Sequence, residues 1–553
     1  MSTLCSRIRL TACAMVLFCL VPAFVSAQRG AGPGPAAGPA GTTLTVFQTD
    51  DFSGSGICAT CHSRLTDEAG NDVSNDAHWR STMMANAAKD PLWQAKISSE
   101  VARNPQVKET IEDKCSRCHT GMARYQAVTD GTPVEVLHPG FLDQAHHLHD
   151  AAMDGVSCTL CHQVQPEGLG TPSSFTGKYV IETLTFPPDR VIFGPYTDPF
   201  GNPMQQSSGF VPSHGIQIED PAHCGTCHTL YTPALDSSGG YLGEFPEQTT
   251  YLEWVHSSVA ETCQDCHLPQ ANGEVVISNR PPNLAARSEF WQHHFVGGNS
   301  YMVGLLATNA DALGVTAEPG HLQDTITRTR NLLELKTAGL TVTPERTGDL
   351  LTVTVDVVNL AGHKLPSGLP SRRAWLHLLV TGPGGAAVFE SGRPTGDGKI
   401  EGNAADQDLN TWEPHYDLIT SPDEVQIYEP IMLNSDGEVT YTLLRAYSYA
   451  KDNRLLPAGF DKATAIADIA VHGVPADEDD FQGGTDRVVY EIDIDGVTGA
   501  LHVTAELLFQ SVSHPFVADL DDTWTPLVGS FMGMYDPAAN KEEVLAQVQK
   551  LVP

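Results

Sequence analysis

The chain has 553 residues, which is enough for two or three domains that each bury a core. Its 67 acidic and 32 basic side chains give a formal net charge of −35 at pH 7. Nucleic acids and anionic membranes would repel such a chain, so its composition excludes both as partners. After the N-terminal segment no stretch approaches about 18 uninterrupted apolar residues, and we predict no membrane span in the mature chain.

The N-terminus has the pattern of an export signal. Basic residues precede an apolar run from Leu10 to Val25, and a small-residue cleavage site ends at Ala27. We therefore predict a signal peptide over 1–27 and export to the periplasm or the cell surface. Residues 28–42 are rich in Gly, Pro and Ala and are predicted to form a flexible linker.

The cysteines that follow the linker belong to one repeated pattern. Of the 13 cysteines, all those outside the signal peptide fall in five C-x-x-C-H motifs. The motifs are Cys58, Cys61 and His62; Cys115, Cys118 and His119; Cys158, Cys161 and His162; Cys224, Cys227 and His228; and Cys263, Cys266 and His267. This pattern is the attachment signature of c-type haem. Both thiols bond to the porphyrin, and the adjacent histidine becomes the proximal iron ligand.

Other uses of paired cysteines fit less well. Disulfides in an exported protein would not need a histidine after each pair, and pairs this close do not connect distant loops. Zinc ribbons use C-x-x-C pairs two at a time, whereas five pairs leave a remainder. Thioredoxin-like motifs occur once, in a βαβ context. The sequence therefore predicts five covalently bound haems with their irons.

The motifs are closely spaced. From Cys58 to His267 the chain has only 210 residues. Because 210 residues are too few to enclose five porphyrins separately, we expect the haems to pack against one another. Electrons would then pass between neighbouring haems.

A bis-histidine haem also needs a distal histidine, and the 22 histidines make supply no constraint. The distal candidates are His78, His146, His149, His214, His293 and His363. His363 lies far beyond the last motif, either in an ordinary turn or in a second domain that reaches back to cap a haem; we favour the second. His223 is a reserve, because directly before Cys224 it is badly placed to reach the distal face of its own haem.

Residues 43–320 are predicted to form a loop-rich, mainly helical pentahaem domain. Helices are expected over Asp90–Val101 and Gln248–Ser258, with another inside Phe290–Ala312. A bridging helix is expected at 321–340, where the pattern changes.

Residues 341–520 alternate apolar and polar side chains, as half-buried strands do. Strands are predicted at Leu351–Val358, Trp375–Val380, Ala387–Glu390, Val439–Leu444, Val488–Ile494 and Leu501–Phe509. The fold class is therefore α+β and multidomain, with an antiparallel β-sandwich after the haem domain. The tail, 521–553, is predicted to end in a short helix over Asn540–Leu551.

Charged groups of this second domain allow two interpretations each. The acidic runs Asp477–Asp480 and Asp519–Asp522 could hold calcium, but neither has the spacing of a known calcium loop, and a solvated acidic face is favoured. Four basic residues could pair with haem propionates, although solvated loops explain them nearly as well. These are Arg372, Arg373, Lys451 and Arg454.

Several stretches resemble multihaem c-type cytochromes related to cytochrome c-554. They include Ala152-Met-Asp-Gly-Val-Ser-Cys158, Cys227-His-Thr-Leu-Tyr-Thr, Cys263-Gln-Asp-Cys-His-Leu-Pro, Phe295-Val-Gly-Gly-Asn and Gly362-His-Lys-Leu-Pro-Ser-Gly. The resemblance implies closely stacked, mostly bis-histidine haems in a periplasmic or cell-surface electron carrier. It also favours His293 and His363 as ligands. The chain departs from the namesake in its five haems and its large β domain. It also lacks the C-x-x-C-K site expected of pentahaem nitrite reductases.

Three functions remain open at this level. The favoured one is a non-catalytic electron carrier between a protein donor and a protein acceptor. The alternative is an oxidoreductase in which one haem keeps an open axial position for a small substrate such as a nitrogen oxide. In a third, the β-sandwich is a docking module for a partner.

Overall fold

The computed structural model describes residues 45–553, so the predicted signal peptide and most of the linker lie outside the described residues. Within this part of the chain, no helix is both long enough and apolar enough to cross a membrane. The described residues belong to one compact unit.

The first half of the chain is built from short helices joined by long loops. The helices are α1 (Ser55–His62), α2 (Asn75–Arg80), α3 (Pro91–Arg103), α4 (Lys108–His119), α5 (Gly121–Thr129), α6 (His149–Met153), α7 (Cys158–Cys161), α8 (Gly201–Ser208), α9 (Pro221–Gly225), α10 (Thr250–Val255), α11 (Cys263–His267), α12 (Ser300–Thr308), α13 (Ala310–Leu313) and α14 (Pro319–Lys336). The predicted helices at 90–101 and 248–258 correspond to α3 and α10, and the bridging helix corresponds to α14.

The residues Asp90 and Pro91 explain where helix α3 begins. The Asp90 side chain accepts a hydrogen bond from the backbone N–H of Leu92, and Pro91 occupies the first helical position. Both features favour a helix start, because the first turn has unpaired N–H groups and proline lacks one.

Two pairs of short strands interrupt this half. Strand β1 (Arg190–Gly194) pairs in parallel with β2 (Phe210–His214), and β3 (Leu230–Leu235) pairs antiparallel with β4 (Tyr241–Gln248). The second pair lies in the chain between the fourth motif and α10.

The second half is a sandwich of two sheets. Its remaining strands are β5 (Ala338–Thr347), β6 (Leu350–Asn359), β7 (Arg373–Thr381), β8 (Ala387–Ser391), β9 (Leu418–Ile419), β10 (Ile427–Tyr428), β11 (Pro430–Leu433), β12 (Ser448–Asp452), β13 (Thr485–Asp493), β14 (Leu501–Gln510) and β15 (Glu543–Val552). One sheet has the order β5-β6-β13-β9, and the other has the order β10-β7-β14-β15 with β8 beside β7. Strands β11 and β12 form a separate pair.

The sandwich core follows from the alternation of side chains in the strands. On β6, Leu351, Val353, Val355 and Val357 are at most 1% exposed and pack in one cluster with residues of β7 and β14 from the facing sheet. Neighbouring strands are antiparallel except for β9, which runs parallel to β13. The antiparallel β-sandwich is therefore confirmed, apart from this short parallel pair.

The strand predicted at Val439–Leu444 is wrong. Val439 makes a single bridge to Leu433, and a 3₁₀ turn follows at Leu443–Arg445. The reason lies in α3: the backbone N–H of Leu443 donates to a Glu100 carboxylate oxygen at 2.7 Å. This side-chain acceptor replaces the strand partner that the backbone would otherwise need.

The helix predicted at Asn540–Leu551 is also wrong. These residues form β15, which pairs antiparallel with β14 from Leu501 opposite Val552 to Phe509 opposite Glu543. The apolar side chains have a spacing that suits a helix, but the free edge of β14 offers a full hydrogen-bond ladder. The strand also buries Leu545 and Val552 in the sandwich core.

The two halves share a further apolar cluster. After β14 the chain forms α15 (His514–Asp521) and α16 (Pro526–Met534), which pack on α3 and α12. Leu92, Met302, Phe516 and Phe531 meet there and are buried. The segment after β14 thus joins the sandwich to the helical half.

Candidate haem-binding cavity

Each C-x-x-C-H motif lies in or beside a helical turn. The first motif lies in α1, the second ends α4, the third and fifth occupy α7 and α11, and the fourth begins in α9. Residues i, i+3 and i+4 of a helix share one face, so both thiols and the histidine of a motif project together. None of the ten described cysteines forms a disulfide.

A single cavity of about 940 Å³ runs past all five motifs. Every motif contributes its histidine and at least one cysteine to the wall. The wall is mainly apolar, with contributions from α3, α10 and α12 and from the loop at 360–369 of the second half. All five motifs therefore face one shared space.

Cysteines of different motifs are direct neighbours in this cavity. The Cys158 side chain contacts that of Cys58, Cys118 contacts Cys227, and Cys224 contacts Cys263. These contacts place the first motif beside the third, the second beside the fourth, and the fourth beside the fifth.

Some motif thiols are buried strongly enough to disfavour the thiolate form, whereas hydrogen bonds with the Cys118 and Cys224 side chains lower the pKa values of Cys227 and Cys263. Burial raises the pKa of the Cys161 thiol to about 12 and the pKa of Cys115 still further. Metals bind the thiolate form, which burial disfavours. The thioether that joins a cysteine to haem is neutral and has no such penalty.

Four of the five motif histidines are oriented in the same way. Their Nδ1–H groups donate to backbone carbonyls: His62 to Ile277 at 2.8 Å, His119 to Ala87 at 3.0 Å, His162 to Phe193 at 2.6 Å and His267 to Val296 at 2.6 Å. A carbonyl only accepts, so the proton is on Nδ1 and the Nε2 lone pair is free. Metal-bound histidines are usually held in this way.

Burial keeps these imidazoles neutral. It lowers the pKa of His119 to about 4, and it lowers the pKa values of His62, His162 and His267 as well. The pKa of His228 also falls to about 4, through burial and the neighbouring His267. A neutral ring can donate its lone pair to iron.

Two of the distal candidates, His293 and His363, line the cavity. The ring centroids of His293 and His162 are 6.2 Å apart, with planes 21° from parallel. Two imidazoles on opposite sides of one metal ion have roughly this separation, since each metal–nitrogen bond is about 2 Å. The Nδ1 of His363 donates to its neighbour's carbonyl, that of Lys364, at 2.9 Å.

The loop that carries His363 is fixed to α10 by buried charge. A Glu253 carboxylate oxygen accepts from the backbone N–H of Lys364 at 3.1 Å and from Ser367 Oγ at 2.9 Å. Arg454 pairs with the same carboxylate at 3.0 Å. Close packing adds to this, because a Cβ on Gly362 would lie 3.0 Å from Trp254 Cδ1.

The other distal candidates do not line this cavity. His78 is 3% exposed, with its Nε2 3.3 Å from Arg328 and its ring centroid 4.5 Å from that of His294. The ring of His149 is fixed by Phe141 O, whereas His214 is exposed at the end of β2. His146 lies 4.7 Å from His147 between ring centroids.

Two further residues, His223 and Arg372, also lie in the cavity wall. His223 lines the cavity, and its buried Nδ1 has no hydrogen-bond partner among the described residues. The other is Arg372, which also lines the cavity. The sequence offered Arg372 only as one of four basic residues that could pair with propionates, and His223 only as a reserve ligand beside a motif.

The four basic residues considered for propionates now separate into two groups. Arg373 pairs with Asp406, Lys451 with Glu429, and Arg454 with Asp452. Arg372 has no carboxylate partner among the described residues and donates to the carbonyl of Ser367. Burial lowers the pKa of Arg372 to about 10, as expected of a cation without a counter-charge.

No protein-family profile matches the chain, and a search of curated proteins finds no similar sequence. Among solved structures, the chain is similar to a penta-heme cytochrome c552 from Thermochromatium tepidum, with a TM-score of 0.51 and 16% identity. The likeness covers 90% of this chain and 98% of that chain, so it includes the sandwich as well as the motif-bearing half. The chain therefore has a fold similar to that of a pentahaem cytochrome.

Proposed function

We propose that the chain is a c-type cytochrome that holds five haems covalently and relays electrons between protein partners outside the cytoplasm. The observation that carries this proposal is the single cavity to which all five motifs contribute a histidine and a cysteine. Haem supplies one-electron redox chemistry at its iron. The similar fold of a pentahaem cytochrome supports the same count of haems.

Different residues of the chain have different roles in this proposal. The ten motif cysteines hold the porphyrins, and His62, His119, His162, His228 and His267 supply the proximal nitrogens. The contacts between cysteines of different motifs favour short distances between neighbouring haems. Apolar side chains of α3 and α12, among them Trp93, Ile97 and Met302, line the cavity and would contact the porphyrins.

For the distal positions we propose His293 opposite His162, on the basis of their ring geometry. His363 lies near both His228 and His267, and we propose it as the distal ligand of one of these two motifs. His78, His146, His149 and His214 remain candidates that the cavity wall does not favour.

Arg372 is the residue we propose to pair with a haem propionate. It is a buried cation in the cavity wall without a carboxylate of its own. Guanidinium and carboxylate groups match in geometry, and such a pair would offset the cost of burying the charge.

A second function, reduction or oxidation of a small molecule at one iron, is favoured by one observation. Among the described residues, three histidines outside the motifs line the cavity: His223, His293 and His363. Five irons would need five distal ligands, so a relay with every iron six-coordinate needs at least two more, from histidines outside this wall or from methionines within it such as Met83, Met84 and Met302. An iron without one would keep an open axial position.

The two functions differ in a measurement on the purified holoprotein. A pure relay predicts low-spin EPR signals for all haems and no change in the visible spectrum under carbon monoxide. A high-spin signal of one haem per chain, together with carbon monoxide binding, would instead favour the reductase or oxidase.

A further inference from the structure

The sandwich contains a second group of ligand-bearing side chains, which lies outside the haem cavity. It comprises Asp417, Glu478 and Asp480, with His415 and Asp486 behind them, and we call it the acidic pocket. His415 and Asp417 directly precede β9, Glu478 and Asp480 lie in the loop before β13, and Asp486 is on β13. The parallel pairing of β9 with β13 brings these segments together.

We propose that the acidic pocket is a calcium site in which Asp417, Glu478 and Asp480 are the protein ligands. One oxygen from each of these three carboxylates lies within 4.8 Å of the others. Carboxylate oxygens are the ligands that hard cations prefer, and a cation between the three would offset their mutual repulsion.

The burial of Glu478 is a second observation, separate from the closeness of the three carboxylates. Its side chain is 4% exposed, yet neither carboxylate oxygen makes a hydrogen bond within the described part of the chain. A buried carboxylate without partners is costly, and such groups usually pair with a cation or coordinate a metal. The nearest basic side chain is His415, whose Nε2 lies 3.1 Å from Glu478 Oε2. The other nearby basic side chains are used elsewhere: Lys462 donates to the backbone carbonyl of Glu478, and Arg487 pairs with Asp356.

His415 closes the pocket on its inner side and is also fully buried. Its Nδ1 accepts hydrogen bonds from the amide groups of Gln426 at 2.8 Å and Asn453 at 2.9 Å. The orientation of these amides is fixed, because their oxygens accept from the backbone N–H groups of Tyr416 and Glu429. Nδ1 therefore has no proton, and Nε2 carries it.

The Nε2–H of His415 points into the pocket, 3.1 Å from Glu478 Oε2 and 3.7 Å from Asp486 Oδ1, without a well-formed hydrogen bond to either. His415 thus presents an N–H group and no lone pair to the pocket, so it is not a metal ligand. The pocket therefore offers only oxygen ligands to a cation. Zinc and copper, which favour imidazole, fit less well than calcium.

Asp486 also serves as support. Tyr428 donates its hydroxyl to one Asp486 oxygen at 2.6 Å, and the backbone N–H of Arg487 donates to the other at 2.8 Å. The outer rim is different, because Asp417 and Asp480 are exposed and can accept a cation from solvent. We expect calcium in preference to magnesium, because calcium accepts a variable number of ligands whereas magnesium demands near-ideal octahedral geometry.

The test is equilibrium calcium binding to the holoprotein, by calorimetry after removal of divalent ions and in physiological salt to suppress diffuse binding. We expect one site per chain, with a dissociation constant on the order of 0.1–1 mM as in extracellular calcium modules. Glu478→Gln and the exposed Asp480→Asn should each weaken binding at least about tenfold. Asp522→Asn, in the other acidic run, is the matched control and should bind as the unmodified protein does.

Three results would overturn the proposal. The first is the absence of a calcium isotherm in the unmodified protein. The second is binding that persists at full strength in Asp480→Asn, a surface change that is not expected to disturb folding. The third is magnesium binding of equal affinity. The haem spectrum should be the same with and without calcium, so the outcome is independent of the proposed electron relay.

Discussion

The histidines in the cavity wall differ in the hydrogen bond that their Nδ1 atom makes. Where Nδ1–H donates to a backbone carbonyl, as in His162 and His267, the ring is fixed and its Nε2 is ready for a metal. His293 has a weaker version of this arrangement, with Nδ1 3.2 Å from Trp291 O. Its assignment as a ligand therefore depends mainly on its distance to His162.

Replacement of His293 tests that assignment. In His293→Ala we expect one haem to lose its sixth ligand, because no other histidine ring lies at 6.2 Å opposite His162 within the described residues. EPR should then show a high-spin signal equivalent to one haem per chain. His214→Ala, at an exposed position, is the control and should keep the spectrum of the unmodified protein. A fully low-spin His293→Ala protein would contradict the pairing.

At the scale of elements, β15 shows how tertiary context overrides local periodicity. Leu545 and Val552 are 0% and 5% exposed, whereas their chain neighbours Val544 and Leu551 are 40% and 61% exposed. Adjacent residues of a strand point to opposite sides of the sheet, and the register shift between Leu507 and Leu508 of β14 lets Leu545 and Val552, seven residues apart, both face the core.

This difference gives a direct stability test of the strand. Leu545→Ala should cost about 2–5 kcal/mol in the free energy of unfolding, since it leaves a cavity in the sandwich core. Leu551→Ala is the matched control on the same strand and should change stability by less than about 0.5 kcal/mol. Equal effects of the two variants in thermal or denaturant unfolding would contradict the strand.

A histidine on the outer surface of the second sheet gives the sandwich a pH dependence. His377 on β7 bonds Glu506 on β14 at 2.9 Å and Glu390 on β8 at 3.1 Å. Burial alone would lower the pKa of His377, but the two carboxylates outweigh it and raise the pKa above 6.5. The stabilisation is therefore complete below the unfolded-state pKa of about 6.5 and is lost as pH rises through the higher folded-state pKa.

The measurement is the midpoint of thermal unfolding between about pH 6 and pH 9, across the range in which histidines titrate. His377→Gln should flatten the decline that the unmodified protein shows with rising pH. His502→Gln, exposed on β14, should leave the decline in place. If His377→Gln declined as steeply as the unmodified protein, the three-residue contact would not be its source.

The sequence predicted elements well where one face of a strand or helix is buried. The alternation of Leu351 to Val357 and the capping at Asp90 are local signals, and β6 and α3 follow them. The motifs likewise predict their own proximal histidines, because ligand and attachment residues are adjacent in the pattern, and these histidines lie in the cavity wall. The missing information is non-local. The Glu100 carboxylate replaces a strand partner at Leu443, and the edge of β14 pairs with β15.

The same limit applies to the acidic pocket and to Arg372. An acidic run such as Asp477–Asp480 is usually solvated, and only the fold reveals that Glu478 turns inward beside His415. The basic residues at 372 and 373 are adjacent in sequence, yet one lines the cavity and the other pairs with Asp406. Which of them lacks a counter-charge depends on three-dimensional placement.

At the scale of the whole molecule, a buried charge network joins the sandwich to the haem cavity. Lys364 Nζ pairs with Asp452 at 2.6 Å, Asp452 pairs with Arg454 at 2.8 Å, and Arg454 pairs with Glu253 of α10 at 3.0 Å. Burial alone would raise the pKa of Glu253, but Arg454 and Lys364 bring it below its usual value. The network fixes the loop of His363 against the cavity.

Removal of one charge from this network should therefore affect both halves. Glu253→Gln leaves a buried arginine with one carboxylate fewer, and we expect a loss of about 3–5 kcal/mol in stability. The loop of His363 should also loosen, so that the spectrum of one haem changes. Glu334→Gln, exposed on α14, should do neither. A destabilised protein with five unchanged haem signals would separate the network from the positioning of His363.

The central claim is that five motifs hold five haems around one cavity, and intact mass spectrometry tests it most directly. The protein should be produced in a host that attaches c-type haem, and its mass measured under denaturing conditions that remove any non-covalent cofactor. We predict the mass of the mature polypeptide plus five covalently bound haems. A mass without added haem, or with fewer than five in fully matured material, would contradict the account.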